Sequence, residues 1–188
     1  MKMREDHQEK MKELNAFKVF FVDECATNDA MVPLYGRAPK GERAVGSKPR
    51  AKGNHRTVVG ALSLRYGLTA TAWPGPMNGD GFLSWVEGSL VPLLVEGDVV
   101  VIDNASIHKA DEVVQAIKAA GAEVLFLPPY SPDYNPIEEA WSKFKALLRR
   151  AGAHTLEALH EAIAVAARAI TMSDTMGYIA HAGYLASA

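Results

Sequence analysis

Three acidic residues occupy positions where catalytic chemistry is expected. Asp23 closes the apolar run FKVFFVD, Asp103 closes DVVVID, and Glu138 follows in SPDYNPIEEAW. Short apolar runs with β-branched residues predict buried strands of a largely parallel sheet, and such sheets bind ligands beyond the carboxyl ends of their strands. Carboxylates gathered in one cleft repel one another unless cations hold them, and oxygen ligands favour Mg²⁺ or Mn²⁺. The pattern predicts metal-dependent phosphoryl transfer.

Each acid also has a structural interpretation. An aspartate at a strand end commonly caps the following turn, and Asp103 could do only that. Asn135, Pro136 and Glu138 fit the N-cap, N1 and N3 positions of a helix, which together form a capping box. Helix phase places Glu138 at the border of the buried face and Glu139 toward solvent, so Glu138 is the better candidate to face the two aspartates.

Neighbours of these acids have open roles as well. Glu24 could replace Asp23 as a ligand, but period-2 alternation places the two on opposite faces of a strand. His108 either starts a helix or approaches the cleft from the loop after Asp103, where it is a candidate DNA contact. Cys25 is the single cysteine. It is expected to pack in the core, because no His and Asn or Asp partners indicate a catalytic thiol.

Charge is distributed unevenly along the chain. The net charge is −2, yet residues 37–56 carry seven basic residues against one acid, so this stretch holds +6 and the remainder −8. Glycines and prolines interrupt the same stretch, which predicts a mobile basic loop able to follow a phosphate backbone, with a solvated loop as the alternative. Its basic residues are Arg37, Lys40, Arg43, Lys48, Arg50, Lys52 and Arg56.

A second basic cluster lies further along the chain. This cluster could bind the same phosphate backbone, or it could only complement the negative end of a helix dipole at the C-terminus of a helix. Its members are Lys143, Lys145, Arg149 and Arg150.

Length and composition exclude several classes of protein. The 188 residues fit one domain with a sizeable core, and 48% hydrophobic with 22% charged residues is typical of a soluble globular protein. Apolar stretches are too short for a membrane span, and the first twelve residues lack the apolar core of a signal peptide, so a cytoplasmic location is expected. A single cysteine excludes an internal disulfide and a cysteine-based zinc site. The motif GxxxxGK[ST] does not occur in the sequence, which argues against a P-loop ATPase.

Periodicity and turn signals predict the elements that position the acids. A charged lead-in through about Leu14 precedes the first strand, and a turn at Tyr66-Gly67 indicates a β-hairpin. The predicted strands are 17–22, 56–64, 68–73, 98–103 and 124–127, and the predicted helices are 79–94, 109–120, 136–150 and 155–170. Strands come first and then alternate with helices, an order that favours a mixed sheet with helices on its faces.

Several motifs together resemble a known family. The segments FVDE, YGRAPKG, VVIDNASIHK, LPPYSPDYNPIEEAWSKFK and HAGY resemble the catalytic domain of DDE transposases, in the bacterial insertion-sequence branch of the mariner superfamily. The most specific part is SPDxNPIE combined with the interval of 34 residues between the second aspartate and the glutamate. The resemblance covers about Phe17 to Tyr184. It implies an α/β, ribonuclease H-like (RNase H-like) fold with a mixed five-stranded sheet flanked by helices, the first and fourth strands being adjacent and parallel.

The same resemblance implies a function. Asp23, Asp103 and Glu138 become the catalytic triad and the ligands of two Mg²⁺ or Mn²⁺ ions. The reaction becomes cleavage of phosphodiester bonds at transposon ends, followed by transfer of the 3′-hydroxyl ends into target DNA at a TA dinucleotide. A homodimer assembled on DNA in the bacterial cytoplasm, associated with the nucleoid, is expected. Two alternatives are an inactive or domesticated DNA-binding or assembly protein of this fold, and a general RNase H-like nuclease.

The front of the chain departs from the family pattern. Members usually carry helix-turn-helix modules before the catalytic domain, whereas about 16 residues precede the first predicted strand here. We therefore expect a lead-in or linker, residues 1–16, and a catalytic domain, residues 17–188. The upstream modules are expected to be absent from this chain or to come from another reading frame.

Overall fold

A mixed five-stranded sheet forms the centre of the protein, as the order of elements predicted. The computed structural model describes residues 2–47 and 53–185, so that Lys48, Arg50 and Lys52 of the predicted basic loop lie outside the described residues. The sheet has the order β3-β2-β1-β4-β5, with β1 parallel to β4 and β4 parallel to β5. The strands are β1 (Val19–Asn28), β2 (His55–Ser63), β3 (Gly67–Pro74), β4 (Val99–Ile102) and β5 (Glu123–Phe126).

The two apolar runs with terminal aspartates form the central strands. Helices cover both faces of the sheet, so Val19–Val22 and Val100–Ile102 are buried on either side and have no polar alternation. Phe17 and Lys18, predicted as the start of the first strand, are exposed and lie in a 3-10 turn before β1. The parallel pairing of β1 with β4 runs from Val19 opposite Val99 to Val22 opposite Ile102, and the next residues are the two aspartates. β1 continues to Asn28 in antiparallel pairing with β2, so Asp23 lies within the strand, whereas the sequence had predicted it at the strand end.

Helices pack on both faces of this sheet and create two apolar cores. One core joins Phe21 in β1 to Trp141 and Ile179, and the other joins Phe20 to Phe82 and Ile117. None of the helices in the described ranges is long and apolar enough to cross a membrane. The helices are α1 (Lys2–Glu13), α2 (Gly79–Trp85), α3 (Asp111–Ala119), α4 (Ile137–Ala151), α5 (Leu156–Arg168) and α6 (Met172–His181).

Two of these helices were not predicted from the sequence. The charged lead-in contains α1, in which His7 and Met11 are the buried side chains among residues 4–13, too few to give a periodic pattern. The C-terminal α6 buries Thr175 and Ile179, and a buried threonine weakens its apolar periodicity. The predicted helix 79–94 begins as α2 and continues as a π-helical turn, Val86–Leu90, and a 3-10 turn.

A glycine in β2 lets α4 lie close to the sheet. Gly60 pairs with Asp23 across the β1–β2 ladder. A Cβ atom on Gly60 would lie 2.8 Å from the ring of Trp141 in α4 and 2.7 Å from the carbonyl oxygen of Thr69. Only glycine leaves room for the tryptophan at this point, and the tryptophan in turn sets the height of α4 above β1.

Candidate active site

The three predicted acids line one open pocket beside the carboxyl end of β4. Asp23 comes from β1, Asp103 follows β4 directly, and Glu138 lies in the first turn of α4. The pocket has a volume of about 380 Å³. Its remaining wall comes from the residues after β4 and the loop between β5 and α4: Asn104, Ala105, Leu127, Pro128, Pro129, Tyr130, Ser131, Pro132 and Asn135.

Asp23 is the most strongly perturbed of the three acids. Burial, followed by the negative charge of Glu138, raises the pKa of Asp23 to about 7. A hydrogen bond from the backbone N–H of Glu24 lowers the pKa of Asp23, while the negative charges of Glu24 and Asp103 raise it further. A carboxylate in this setting is relieved either by a proton or by a cation.

Asp103 divides its two oxygens between different tasks. Its Oδ1 accepts hydrogen bonds from the backbone N–H of Ala105 at 2.8 Å and from Nδ1 of His108 at 2.5 Å. The hydrogen bond from His108 lowers the pKa of Asp103, against the effect of burial. The turn-capping alternative is therefore present, but it uses one oxygen and leaves Oδ2 for other partners.

His108 lies beneath Asp103 and not on the DNA-accessible surface. Its side chain is 2% exposed, and its Nε2 lies 3.0 and 3.1 Å from the two carboxylate oxygens of Glu24. Burial alone would lower the pKa of His108, but the hydrogen bonds to Asp103 and Glu24 outweigh it and raise the pKa to about 9. The predicted DNA contact is not supported, because the ring is buried and both nitrogens are occupied.

Glu138 is free of the predicted capping role. α4 begins at Ile137, and Pro136 occupies the N-cap position without a side-chain hydrogen bond. The backbone N–H of Glu138 donates to the carbonyl of Asn135 at 3.1 Å, while the side-chain oxygen of Asn135 is buried without a partner among the described residues. The prediction of a capping box was wrong, and the exposed carboxylate of Glu138 faces the pocket instead.

The neighbouring glutamate belongs to a different part of the structure. Glu139 accepts a hydrogen bond from Nδ1 of His181 in α6 at 2.6 Å and is half-buried. Glu139 points away from the pocket, as helix phase predicted, and its contact with α6 is exposed, although the sequence did not predict His181 as its partner. Of the pair, only Glu138 lines the pocket with the aspartates.

The loop that leads into α4 is held from both ends of the chain. Arg4 in α1 donates to Ser131 Oγ at 3.0 Å and to the carboxylate of Asp133 at 2.5 Å. The hydroxyl of Tyr184, just after α6, donates to the carbonyl of Tyr134 at 3.0 Å. The sequence showed no signal for these contacts, which join residues far apart along the chain.

Tyr130 stands at the mouth of the pocket in an unusual conformation. Its φ is +55°, which makes it the non-glycine residue with positive φ in the described backbone. Its side chain is 99% exposed. Non-glycine residues with a left-handed backbone conformation of this kind cluster at functional sites.

The predicted basic residues differ in exposure: some lie exposed in the loop, and others contact groups within the protein. Arg37, Lys40 and Arg43 are exposed in a segment without regular structure. The base of this segment is closed by Asp29, which accepts from the backbone and side-chain amides of Asn54 at 2.7 and 2.8 Å. The three cations therefore project from an anchored loop.

Two other basic positions have structural partners. Arg56 lies in β2, half-buried, and donates to the carbonyl of His55. Lys143 forms an ion pair with Asp174 in α6 at 2.6 Å, so this member of the second cluster is engaged within the protein. Cys25 is buried in the core, as expected, and burial raises the pKa of its thiol to about 12.

The pocket acids suit a divalent cation by their chemistry. Within residues 2–47 and 53–185 no group of three His, Cys, Asp or Glu side chains already surrounds one ion position. The donors that face the pocket are nevertheless all oxygens, which Mg²⁺ and Mn²⁺ prefer. Burial, followed by the negative charge of Glu138, raises the pKa of Asp23, so its ionised form is disfavoured unless a cation binds. Asp23, Asp103 through Oδ2, and Glu138 are the residues that could hold a metal ion.

Comparison with solved structures gives the fold. The chain is similar to a crystal structure of the Mos1 strand transfer complex (TM-score 0.71, 16% identity, 95% of this chain and 56% of that chain). It is also similar to a crystal structure of the Mos1 mariner paired end complex with Mn (TM-score 0.69, 16% identity, 95% of this chain and 56% of that chain). A third similar structure is the catalytic domain of Mos1 mariner transposase (TM-score 0.62, 15% identity, 95% of this chain and 84% of that chain). These similarities confirm the predicted RNase H-like fold, and the chain spans about half the length of the first two matched chains.

Comparison with protein families adds the affiliation. No curated protein sequence matches the chain. Residues 18–160 match the family described as DDE superfamily endonuclease, and this range contains β1, β4 and the start of α4 with all three pocket acids. Because the match covers most of the sequence, the chain belongs to the DDE superfamily endonucleases.

Proposed function

We propose that this chain is the catalytic domain of a DNA transposase that cuts phosphodiester bonds with the help of divalent metal ions. One observation carries the proposal: three carboxylates from three separate elements line a single open pocket, and Asp23 is held there at a pKa of about 7. Uncompensated negative charge is costly in a folded protein unless a positively charged ligand offsets it. The family affiliation and the similarity to the Mos1 complex with Mn support a divalent metal as that ligand.

Asp23, Asp103 and Glu138 would hold two Mg²⁺ or Mn²⁺ ions. When bound, such ions lower the pKa of the attacking water or DNA 3′-hydroxyl and stabilise the leaving oxygen. The residues of the chain supply the ligands, fix their orientation and limit the size of the pocket. No covalent bond between protein and DNA is needed.

The surroundings of the pocket suit a DNA strand. The exposed ring of Tyr130 is available for stacking on a base, an interaction that tolerates any sequence. Arg37, Lys40 and Arg43 extend from an anchored loop and would contact phosphates. We propose DNA as the partner on these grounds, together with the transposon-end complexes among the similar structures.

The finer steps of the reaction rest on the resemblance to mariner-type elements. We propose that the 3′ ends freed at the transposon ends are transferred to a TA dinucleotide and that two copies of the protein pair two ends. Recognition of the ends would come from helix-turn-helix modules, which a second polypeptide could supply. Nucleoid association in a bacterial cytoplasm follows from the same proposal.

A nicking assay on supercoiled plasmid tests the central claim. The wild-type chain in Mg²⁺ or Mn²⁺ is expected to convert supercoiled DNA to the open circle, and Asp103→Ala is expected to lose this activity. Glu112→Gln, an exposed acid on α3 outside the pocket, is the matched control and should retain it. Equal activity of Asp103→Ala and wild type would contradict the proposal.

The same assay separates the alternatives. Faster cleavage of an RNA/DNA hybrid than of duplex DNA would favour a general RNase H-like nuclease. DNA binding without any metal-dependent cleavage would favour an inactive or domesticated protein of this fold.

A further inference from the structure

Three side chains, Asp103, His108 and Glu24, are linked in a row next to the pocket, at the carboxyl end of β4. Nδ1 of His108 lies 2.5 Å from Oδ1 of Asp103, and Nε2 lies 3.0 Å from Oε2 of Glu24. The imidazole packs against Phe82 in α2, with 4.5 Å between ring centroids. His108 therefore sits on the α2 side of the sheet, whereas Glu138 approaches from α4 on the other side.

Contacts at both ring nitrogens fix the orientation of the imidazole. Nδ1 of His108 faces the carboxylate of Asp103, and Nε2 faces the carboxylate of Glu24. The ring is buried, so a rotation would leave at least one of these polar groups without a partner. His108 is therefore held in one orientation.

This arrangement decides which oxygen of Asp103 is available. Oδ1 already accepts from the Ala105 N–H and from His108. Within the described residues Oδ2 has no hydrogen-bond donor. The aspartate is thereby held in one orientation, with the unpaired oxygen as its free ligand atom.

We propose that His108 and Glu24 are a positioning pair for the reaction: His108 orients Asp103 so that Oδ2 binds the metal ion, and Glu24 holds His108 in place through the other ring nitrogen. The inference rests on the proposed function, since it assigns the metal to Asp103. Neither residue touches the reacting atoms. Partners that orient metal-binding carboxylates typically contribute about 10- to 100-fold to metal affinity or activity.

The first variants remove or retain single contacts. His108→Ala removes both hydrogen bonds, while the side chain of His108→Asn places an amide near the position of Nδ1 and can still donate to Asp103. Glu24→Gln keeps an acceptor for Nε2 and loses the charge. His108→Ala is expected to weaken Mn²⁺ binding by about 10- to 100-fold and to lower kcat similarly, with the KM for DNA unchanged. His108→Asn should recover a large part of both losses.

The measurements distinguish positioning from a general structural effect. Mn²⁺ affinity is measured from the free Mn²⁺ signal in electron paramagnetic resonance, without any need for cleavage, and folding is checked by circular dichroism. A merely structural role would lower the melting temperature without the recovery by His108→Asn and without a selective effect on kcat. Glu24→Ala should add no further loss in the His108→Ala background, because both act through one path.

Several outcomes would overturn the inference. One is a folded His108→Ala protein that binds Mn²⁺ as tightly as wild type. Another is a loss of Mn²⁺ binding on Glu24→Ala, made in the His108→Asn background, that is as complete as the loss on Asp103→Ala. That result would make Glu24 a direct metal ligand. Wild-type protein that binds Mn²⁺ and cuts no DNA would refute the proposed function alone, since the affinity measurements would still show whether His108 orients Asp103.

Discussion

At the scale of residues, adjacent acidic side chains in this chain contact different parts of the structure. Asp23 and Glu24 are neighbours in β1, yet one faces the pocket with Glu138 and the other binds His108 on the opposite side. Glu138 and Glu139 separate in the same way at the start of α4. Single substitutions within each pair therefore give informative tests.

The pair in α4 yields the first prediction. Glu138→Gln should reduce cleavage by more than about 100-fold, because we propose Glu138 as a direct metal ligand and loss of such a ligand exceeds the cost of losing an outer partner. Its free energy of unfolding should change by less than about 0.5 kcal/mol, since the side chain is exposed and outside any hydrogen bond of the described structure. Glu139→Gln should retain cleavage and lose at most about 1 kcal/mol of stability, because its ion pair with His181 is exposed.

Cleavage rates and urea denaturation of the two variants check this prediction. Normal cleavage by Glu138→Gln together with loss of cleavage by Glu139→Gln would refute the assignment of Glu138 as the catalytic glutamate.

The second prediction concerns the pKa of Asp23. A carboxyl with a folded pKa of about 7 stabilises the metal-free protein below its ordinary pKa of about 4, and that contribution is lost as pH rises through about 7. Metal binding needs the ionised form, so Mg²⁺ should raise the melting temperature more at about pH 8 than at about pH 6, with release of a proton. Asp23→Asn should abolish this pH dependence. A Mg²⁺ effect of equal size at both pH values would speak against Asp23 as a ligand.

At the scale of elements, the distance between α4 and the sheet controls the pocket. Trp141 rests on Gly60, and Gly60 pairs with Asp23, so one close contact sets the height of Glu138 above its partner acid. The loop before α4 is tied by Arg4 and Tyr184. The site is thus assembled by packing between elements that are distant in the sequence.

The third prediction follows from that packing. Gly60→Ala should cost about 1 to 3 kcal/mol of stability, because the new methyl group meets the Trp141 ring and a backbone oxygen. Cleavage should fall further than stability explains, by about 100-fold, since a shift of about 1 Å at a catalytic group has this effect. Thermal unfolding and nicking rates measure the two losses.

Gly177→Ala in α6 provides the control for a glycine in open space. A Cβ atom there meets no heavy atom within 4 Å, so the change should stabilise the helix by about 0.5 to 1 kcal/mol and leave cleavage unaltered. Similar losses in both variants would remove the special role of Gly60.

The elements also show how far the sequence could lead. β1 and β4 were predictable because an apolar run buried on both faces leaves a clear pattern, and the acids that end those runs marked the pocket. The capping box failed because a Pro-rich loop, held by Arg4 and Tyr184, sets the start of α4 in place of local side-chain capping. The link from Glu24 in β1 to His108 after β4 joins residues 84 positions apart in the sequence, and local periodicity contains no information on such a contact.

At the scale of the whole molecule, charge separates into an acidic body and a basic loop. The net charge of −2 conceals a stretch of +6 between residues 37 and 56. An acidic body repels DNA at a distance, so binding depends on the cations that project from it.

The fourth prediction measures this contribution. Changing Arg37, Lys40 and Arg43 together to Ala should flatten the slope of log K for DNA against log salt by up to about 2.7, or about 0.9 for each lost phosphate contact. Stability should change by less than about 0.5 kcal/mol, because all three residues are exposed. Fluorescence anisotropy with labelled duplex DNA at several salt concentrations gives the slope.

A triple change of exposed cations outside the loop serves as the control. These residues are Lys10, Lys12 and Lys118. The control should lower affinity through net charge alone and keep a steeper slope than the loop variant. An unchanged slope in the loop variant would leave the loop as a solvated segment and move the DNA path toward Lys145 and Arg149.

The alternation of side chains along β1 also limits how the gene can vary in length. Removal of one codon between Val19 and Val22 would bring Glu24 into the place of Asp23 and Cys25 into the place of Glu24. The pocket would then hold a longer acid, and His108 would face a thiol. Substitutions that conserve volume leave this alternation intact, whereas insertions and deletions in β1 reverse it. We expect natural length variants to be confined to loops such as the basic segment between β1 and β2, where no strand faces are exchanged.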